Sequence, residues 1–205
     1  MATRVAGLTG ATIELVPTVC HTCVWWQSRA GRETDKRRWI EKVEDAWGAW
    51  GAIYRDDDGD VLGSMQFGPA ELFPRASDLP AGPPSDDAVL VTCAYLLDRS
   101  SPWVMQSLFL TAIGEAKGHA ATAVEAFAYR YPEGESPHER FHVHKTVFPH
   151  DFLSDFGFQA VRHAGRVELA RLELGGLQPV AEGRRASVIE LVAEAFQPAP
   201  VPQRP

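Results

Sequence analysis

The chain has 205 residues, 45% of them hydrophobic, with 20 Lys and Arg against 27 Asp and Glu, a net charge of −7 and a pI near 5.5. That length and apolar content suffice to bury one full core with any second domain small. The acidic balance argues against a nucleic-acid partner, whose phosphates demand basic patches. No apolar run approaches the roughly 20 residues that span a bilayer. Three cysteines, an odd count, suit a reducing cytosol better than a disulfide framework, so a soluble cytoplasmic protein is expected.

In chain order, the opening segment MATRVAGLTGATIELV has one Arg and no apolar signal region. Cys20-x-x-Cys23 follows, beside Trp25 and Trp26. A structural zinc needs four ligands, and no second Cys pair is present. The His138-x-x-x-His142 pair, with His21 or His144, leaves a zinc-binding regulator as one alternative. Residues 36–50 carry Trp39, Ile40, Val43, Ala46 and Trp47 at helical spacing, which predicts an amphipathic helix ended by Gly48 and Gly51. Its aromatic face, with Trp50, reads as core.

AIYRD (52–56) and VLGSMQFG (61–68) flank Asp-Asp-Gly-Asp, a hairpin signal. Segment 69–87, rich in Pro, Asp and Ser, reads as a surface loop. AVLVTCAYLL (88–97) predicts a buried strand. It passes through Ser-Ser-Pro into a helix over 102–117, and TAVEAFAY (122–129) predicts a second buried strand. A strand feeding the N-terminus of a helix is where α/β proteins bind anionic cofactors, because unpaired backbone N–H groups point out of that end. After a polar loop at 131–140, residues 141–148 read as a short strand or the approach to a helix at 150–156. A closing antiparallel pair follows at 158–165 and 166–174. Beyond residue 176 an extension holds an amphipathic helix (186–196), which either docks on the body or pairs two subunits into a homodimer, and then a Pro-rich tail.

This order of elements, with the strand–turn–helix at 88–117, VEAFAY (124–129) and FLSDFGFQAVR (152–162), resembles the GCN5-related N-acetyltransferase (GNAT) superfamily over residues 36–174. CHTCVWW (20–26) looks like a subset of actinobacterial GNAT-like proteins. The resemblance implies an α/β (α+β) fold in one domain over 1–176: a mixed, mostly antiparallel central sheet with helices on both faces. It also implies an acetyl-CoA or other acyl-CoA cofactor and an amine acceptor, small molecule or protein. In such folds the strand equivalent to 88–97 is splayed from its neighbour, and its backbone holds the pantetheine arm. The cofactor-binding residues would be Ala94, Tyr95, Leu96, Arg99, Ser100, Ser101, Trp103 and Val104.

The turn departs from the family's glycine-rich pattern, since Ser101, Trp103 and Met105 stand at or near the glycine positions. Ser101-Pro102 reads as an N-cap followed by the first helical residue. Proline offers no N–H, and the Ser101 hydroxyl would satisfy another donor. Each charge-assisted bond lost to a phosphate is worth about 1.5–3 kcal/mol. A GNAT-like module that binds without transferring is therefore the second alternative. For proton transfer the candidates are Glu125, an acid in a buried strand that must be paired or face a cavity, and His150, the best carrier near neutral pH around the helix before Gly157-Phe158. No metal is expected at the transfer site.

Overall fold

The computed structural model describes residues 4–29, 35–97, 102–131 and 146–177. Met1–Gly175 form one compact unit; of the second, Gly176–Pro205, only residues 176 and 177 are described, and the helix expected at 186–196 lies outside them.

The chain begins with strand β1 (Val5–Gly7), a 3-10 turn (Gly10–Leu15) and a short helix α1 (Thr18–Thr22). Helix α2 (Lys36–Trp47) is capped by Asp35, whose carboxylate accepts from Arg38 N at 2.9 Å. It stops at Gly48, whose φ of 87° is the left-handed conformation that a helix C-terminus favours in glycine. Strands β2 (Gly51–Arg55) and β3 (Val61–Pro69) form the hairpin, and the Asp56 carboxylate ties the turn by accepting from Asp58 N and Asp60 N. Strand β4 (Ala88–Leu96), helix α3 (Pro102–Gly118) and strand β5 (Ala123–Tyr129) form the crossover unit. A two-residue strand β6 (Phe148–Pro149), helix α4 (His150–Asp155), β7 (Gln159–Ala164) and β8 (Val167–Glu173) complete it.

Among the described residues the sheet has eight strands in the order β1-β2-β3-β4-β5-β8-β7, with β6 beside β5. Its pairs are antiparallel except β4–β5 and β5–β6. The mixed, mostly antiparallel sheet expected is therefore present. Helix α3 covers one face, where Val104, Leu108, Phe109 and Ala112 pack on Met65, Val91 and Ala126. Burying a side chain the size of Leu108 or Phe109 contributes about 1.5–3 kcal/mol. The other face is covered by α2 and the N-terminal segment, with Trp26, Trp39, Ile40 and Val43 against Ile53, Leu90 and Phe127.

Segment 69–87 is not the plain surface loop that its composition suggested. Two 3-10 turns, Ala70–Leu72 and Pro74–Asp78, drive Leu72, Phe73 and Ala76 into that second core. Trp39 Nε1 fastens it by donating to Leu72 O at 2.9 Å.

Candidate functional site

The site originates in a register defect. Strand β4 pairs with β3 as Phe67↔Val91 and then Gln66↔Cys93, so Thr92 is an extra residue without an opposite number. A bulge of this kind bends its strand and raises the local twist. At the same level β4 leaves β5, since their parallel pairing runs from Ala88↔Ala123 to Val91↔Ala126 and ends there. Beyond it, the vacated edge of β5 is taken by β6, with Ala128↔Phe148 and Tyr129↔Pro149. The β5-facing edge of β4 from Thr92 to Leu96 pairs with no strand among the described residues. The two strands are thus closed at one end and parted at the other.

The bulge also reassigns side chains. Val91 points to the α3 face, whereas Cys93, opposite Gln66, and Tyr95, opposite Ser64, stand on the α2 face. There they line a cavity of about 70 Å³ together with Leu8, Cys20, Cys23, Trp26, Lys36, Trp50, Gln66 and Thr146. A polar chain crosses its floor: Lys36 Nζ and Gln27 Nε2 both donate to Gln66 Oε1, at 3.0 and 2.9 Å, and Gln66 Nε2 donates to Thr92 Oγ1 at 2.7 Å. The Lys36 ammonium sits over the rings of Trp39 and Trp50, 4.4 and 4.8 Å from their centroids. Burial lowers the Lys36 pKa to about 8, against a weaker upward pull from the thiols of Cys93, Cys23 and Cys20. Burial likewise pushes the Cys93 thiol up to about 12 and raises Tyr95 above its ordinary value.

Of the residues expected to hold a cofactor, Ala94, Tyr95 and Leu96 lie on the parted edge of β4. Trp103 and Val104 open α3 nearby. Trp103 is exposed, with its ring edge-on to Tyr54, but the Val104 side chain is wholly buried in the core. Val104 packs beside Gly63, where a Cβ would approach its Cγ1 to 2.8 Å and Tyr95 O to 3.0 Å. Gly63 thus lets the first turn of α3 settle on β3 and β4, and Val104 can offer a ligand only its main chain. Arg99, Ser100 and Ser101 lie outside the described residues, as do His138, His142 and His144.

The two proton-transfer candidates fall in different places. Glu125 is fully buried where β4 and β5 are still paired, opposite Leu90. Its Oε2 accepts from Ser85 N at 2.8 Å, and its Oε1 accepts from Ser85 Oγ at 2.7 Å and Arg171 Nη1 at 3.1 Å. Of the two environments open to a buried acid, Glu125 has the paired one, and this removes it from the parted end. Arg171 also binds Asp87, at 2.9 and 3.0 Å, and Glu173 at 2.6 Å. Hydrogen bonds from Arg171 and Thr122 hold the Asp87 carboxyl well below the usual range.

His150 follows directly on β6, at the border of the gap. Its Nδ1 lies 2.7 Å from Glu168 Oε2, and its Nε2 lies 3.3 Å from Ser154 Oγ. Glu168, fully buried, also pairs with Arg130 and, at 3.0 Å, with His163 Nδ1. Burial alone would raise Glu168; the hydrogen bonds from Arg130 and His150 outweigh it and hold the carboxyl below its ordinary value. Sequence reasoning missed Glu168, and it missed the Lys36 cage. A Glu on the inner face of a strand whose neighbours are Leu169 and Ala170 was the available signal. No group of three or more His, Cys, Asp or Glu among the described residues is placed to hold a metal, so the zinc alternative finds no support there. Among the described residues no helix is long and apolar enough to cross a membrane.

No protein-family model and no curated protein matches the chain. Among solved structures it is similar to PaiA N-acetyltransferase from Thermoplasma acidophilum in complex with coenzyme A (13% identity, 84% of this chain and 99% of that one, TM-score 0.46). It is also similar to yncA from Salmonella typhimurium with its cofactor acetyl-CoA (15%, 87% and 97%, 0.46). A third is an N-acetyltransferase from Staphylococcus aureus (13%, 83% and 97%, 0.46). The chain's own strand order gives a mixed sheet that opens between β4 and β5, with helix α3 joining that pair, as the resemblance to the GNAT superfamily implied.

Proposed function

We infer that the chain binds an acyl-CoA along the parted edge of β4 and transfers the acyl group to an amine. The carrying observation is the parting itself: beyond Val91 the β5-facing edge of β4 meets no strand among the described residues, while β3 still holds the other edge and the strand keeps its extended form. An extended strand edge that faces no neighbouring strand suits a pantetheine arm, whose two amides present complementary groups in line. Ala94, Tyr95 and Leu96 would hold the arm, and the main chain at Trp103 and Val104 would lie toward the pyrophosphate.

The amine would approach from the cavity side, past Cys93 and Tyr95. Its nitrogen attacks the thioester carbonyl carbon; the N–C bond forms, the C–S bond breaks, the thiolate of CoA takes up a proton and the amine nitrogen loses one. In this reading His150 would carry that proton. With Nδ1–H donated to Glu168, its Nε2 is left as the basic atom. Glu125, with both oxygens engaged at the closed end, is given no proton to move.

Thermal unfolding with and without acetyl-CoA tests the reading, because a ligand at about 100 times its dissociation constant adds roughly 2.7 kcal/mol of stability. A rise in Tm is expected. An unchanged Tm at millimolar acetyl-CoA would contradict binding. A rise with no acylation of any amine would leave the binding module without transferase activity.

A further inference from the structure

Lys36 has a feature that acyl transfer does not require of it. It is a cation more than nine-tenths buried, and none of the described residues lining its cavity is acidic. Its Nζ has three protons to donate, and Gln66 Oε1 accepts one of them. Two π faces attract it but accept no conventional hydrogen bond. Its position adds to the imbalance. Lys36 opens α2, whose first turn is Lys36-Arg37-Arg38 with no acidic residue, so three cations stand at the positive end of the helix beside the capping Asp35 carboxylate, which accepts from Arg38 N.

The walls repeat the pattern. The indole N–H of Trp50, almost wholly buried, finds no acceptor among the described residues, and that of Trp26 has only the Cys93 sulfur, a weak acceptor, within reach. Both rings line the same cavity. Buried donors of this kind cost stability unless something accepts from them. The pocket therefore gathers a buried charge of one sign and two indole donors around a volume with room for roughly five water-sized groups.

We propose that this cavity is a carboxylate-binding site, in which Lys36 and the indole N–H groups of Trp26 and Trp50 receive the acid group of a small molecule. If the acyl-transfer reading holds, that molecule is the acceptor: a small amine that also bears a carboxylate. Its acid end lies against Lys36 and its amino end turns toward Cys93, Tyr95 and the parted edge of β4. A purely cationic amine is disfavoured by the Lys36 charge. The carboxylate site itself does not depend on the transfer.

The probes are acetate and acetamide, which have closely similar shapes and differ in charge. In protein labelled with ¹³C at lysine Cε, the Lys36 signal, identified by its loss in Lys36→Met, titrates near pH 8. Acetate should move that midpoint upward by about one pH unit, the signature of an anion bound roughly tenfold more tightly to the ammonium than to the amine. Acetamide should leave it in place. Acetate should also perturb tryptophan fluorescence in the parent protein and lose that effect in Lys36→Met. Trp50→Phe, which deletes an indole N–H and keeps an aromatic ring, should weaken acetate several-fold. No shift with acetate, an equal shift with acetamide, or an undiminished fluorescence response in Lys36→Met overturns the proposal. Acetyl-CoA binding measured on the same samples separates the two ideas: an acetate response without acetyl-CoA binding retains the carboxylate site and removes the transferase.

Discussion

The two ends of the β4–β5 pair handle buried charge in opposite ways. At the closed end Glu125, Asp87 and Glu173 converge on Arg171, and both oxygens of Glu125 are further engaged by Ser85 or Arg171. At the parted end Lys36 is buried with no acid among the described residues of its cavity, beneath a strand dislocated by an extra residue. A satisfied network locks two elements together, while an unsatisfied charge destabilises the fold that holds it. The comparison separates structure from function more cleanly than residue type does, since from sequence Glu125 looks catalytic and Lys36 looks like an ordinary helix lysine.

Breaking the closed end should have the largest effect. Arg171→Met leaves Glu125 buried with only Ser85, and removing one partner of a buried pair costs about 3–5 kcal/mol. Urea denaturation should show that loss, and acetyl-CoA should still bind whatever folded protein remains. A loss below about 1 kcal/mol would place the network among the weak surface pairs instead.

The parted end should respond with the opposite sign. Lys36 titrates near 8 when folded and near its ordinary 10.5 when unfolded. Between those values the unfolded chain holds a proton that the folded chain has released, so stability rises with pH across that window and is lowest below it. Lys36→Met removes the penalty. It should stabilise the protein at pH 7 by up to about 3 kcal/mol, less what the Gln66 hydrogen bond contributed, and should flatten the rise between pH 8 and 10.5. The Cys93 thiol that faces Lys36, pushed up to about 12 by burial, supplies no compensating charge at pH 7. A destabilised Lys36→Met would mean that the ammonium contributes more through Gln66 and the two indoles than burial takes away.

Much of the fold was legible in the sequence because its signals are local. Asp56 to Asp60 mark the β2–β3 turn, the spacing of Trp39, Ile40 and Val43 marks α2, and the apolar runs at 88–96 and 123–129 mark two buried strands. What escaped depends on partners remote in sequence. The bulge at Thr92 exists only relative to Gln66 and Phe67 on the neighbouring strand. Strand β1 is three residues long and owes its form to Ala52, Ile53 and Tyr54. Phe73, in a segment whose composition reads as loop, is buried because Trp39 packs against it and binds Leu72 O. The Lys36 cage joins Trp39, one helical turn away, to Trp50, which lies beyond the glycine that ends the helix. The His150–Glu168 contact joins a helix to a strand 18 residues on. Chain periodicity places each of these residues on a face, and only tertiary packing decides what each one meets.

The same contrast supplies the most direct measurement, hydrogen–deuterium exchange along β4 with and without saturating acetyl-CoA. Residues 88–91 already pair with β5, so their exchange should be unchanged, whereas amides within 92–96 on the vacated edge should slow about tenfold or more. Equal rates in both halves of the strand, with or without acetyl-CoA, would contradict the claim that the opening in this sheet is a place for a ligand.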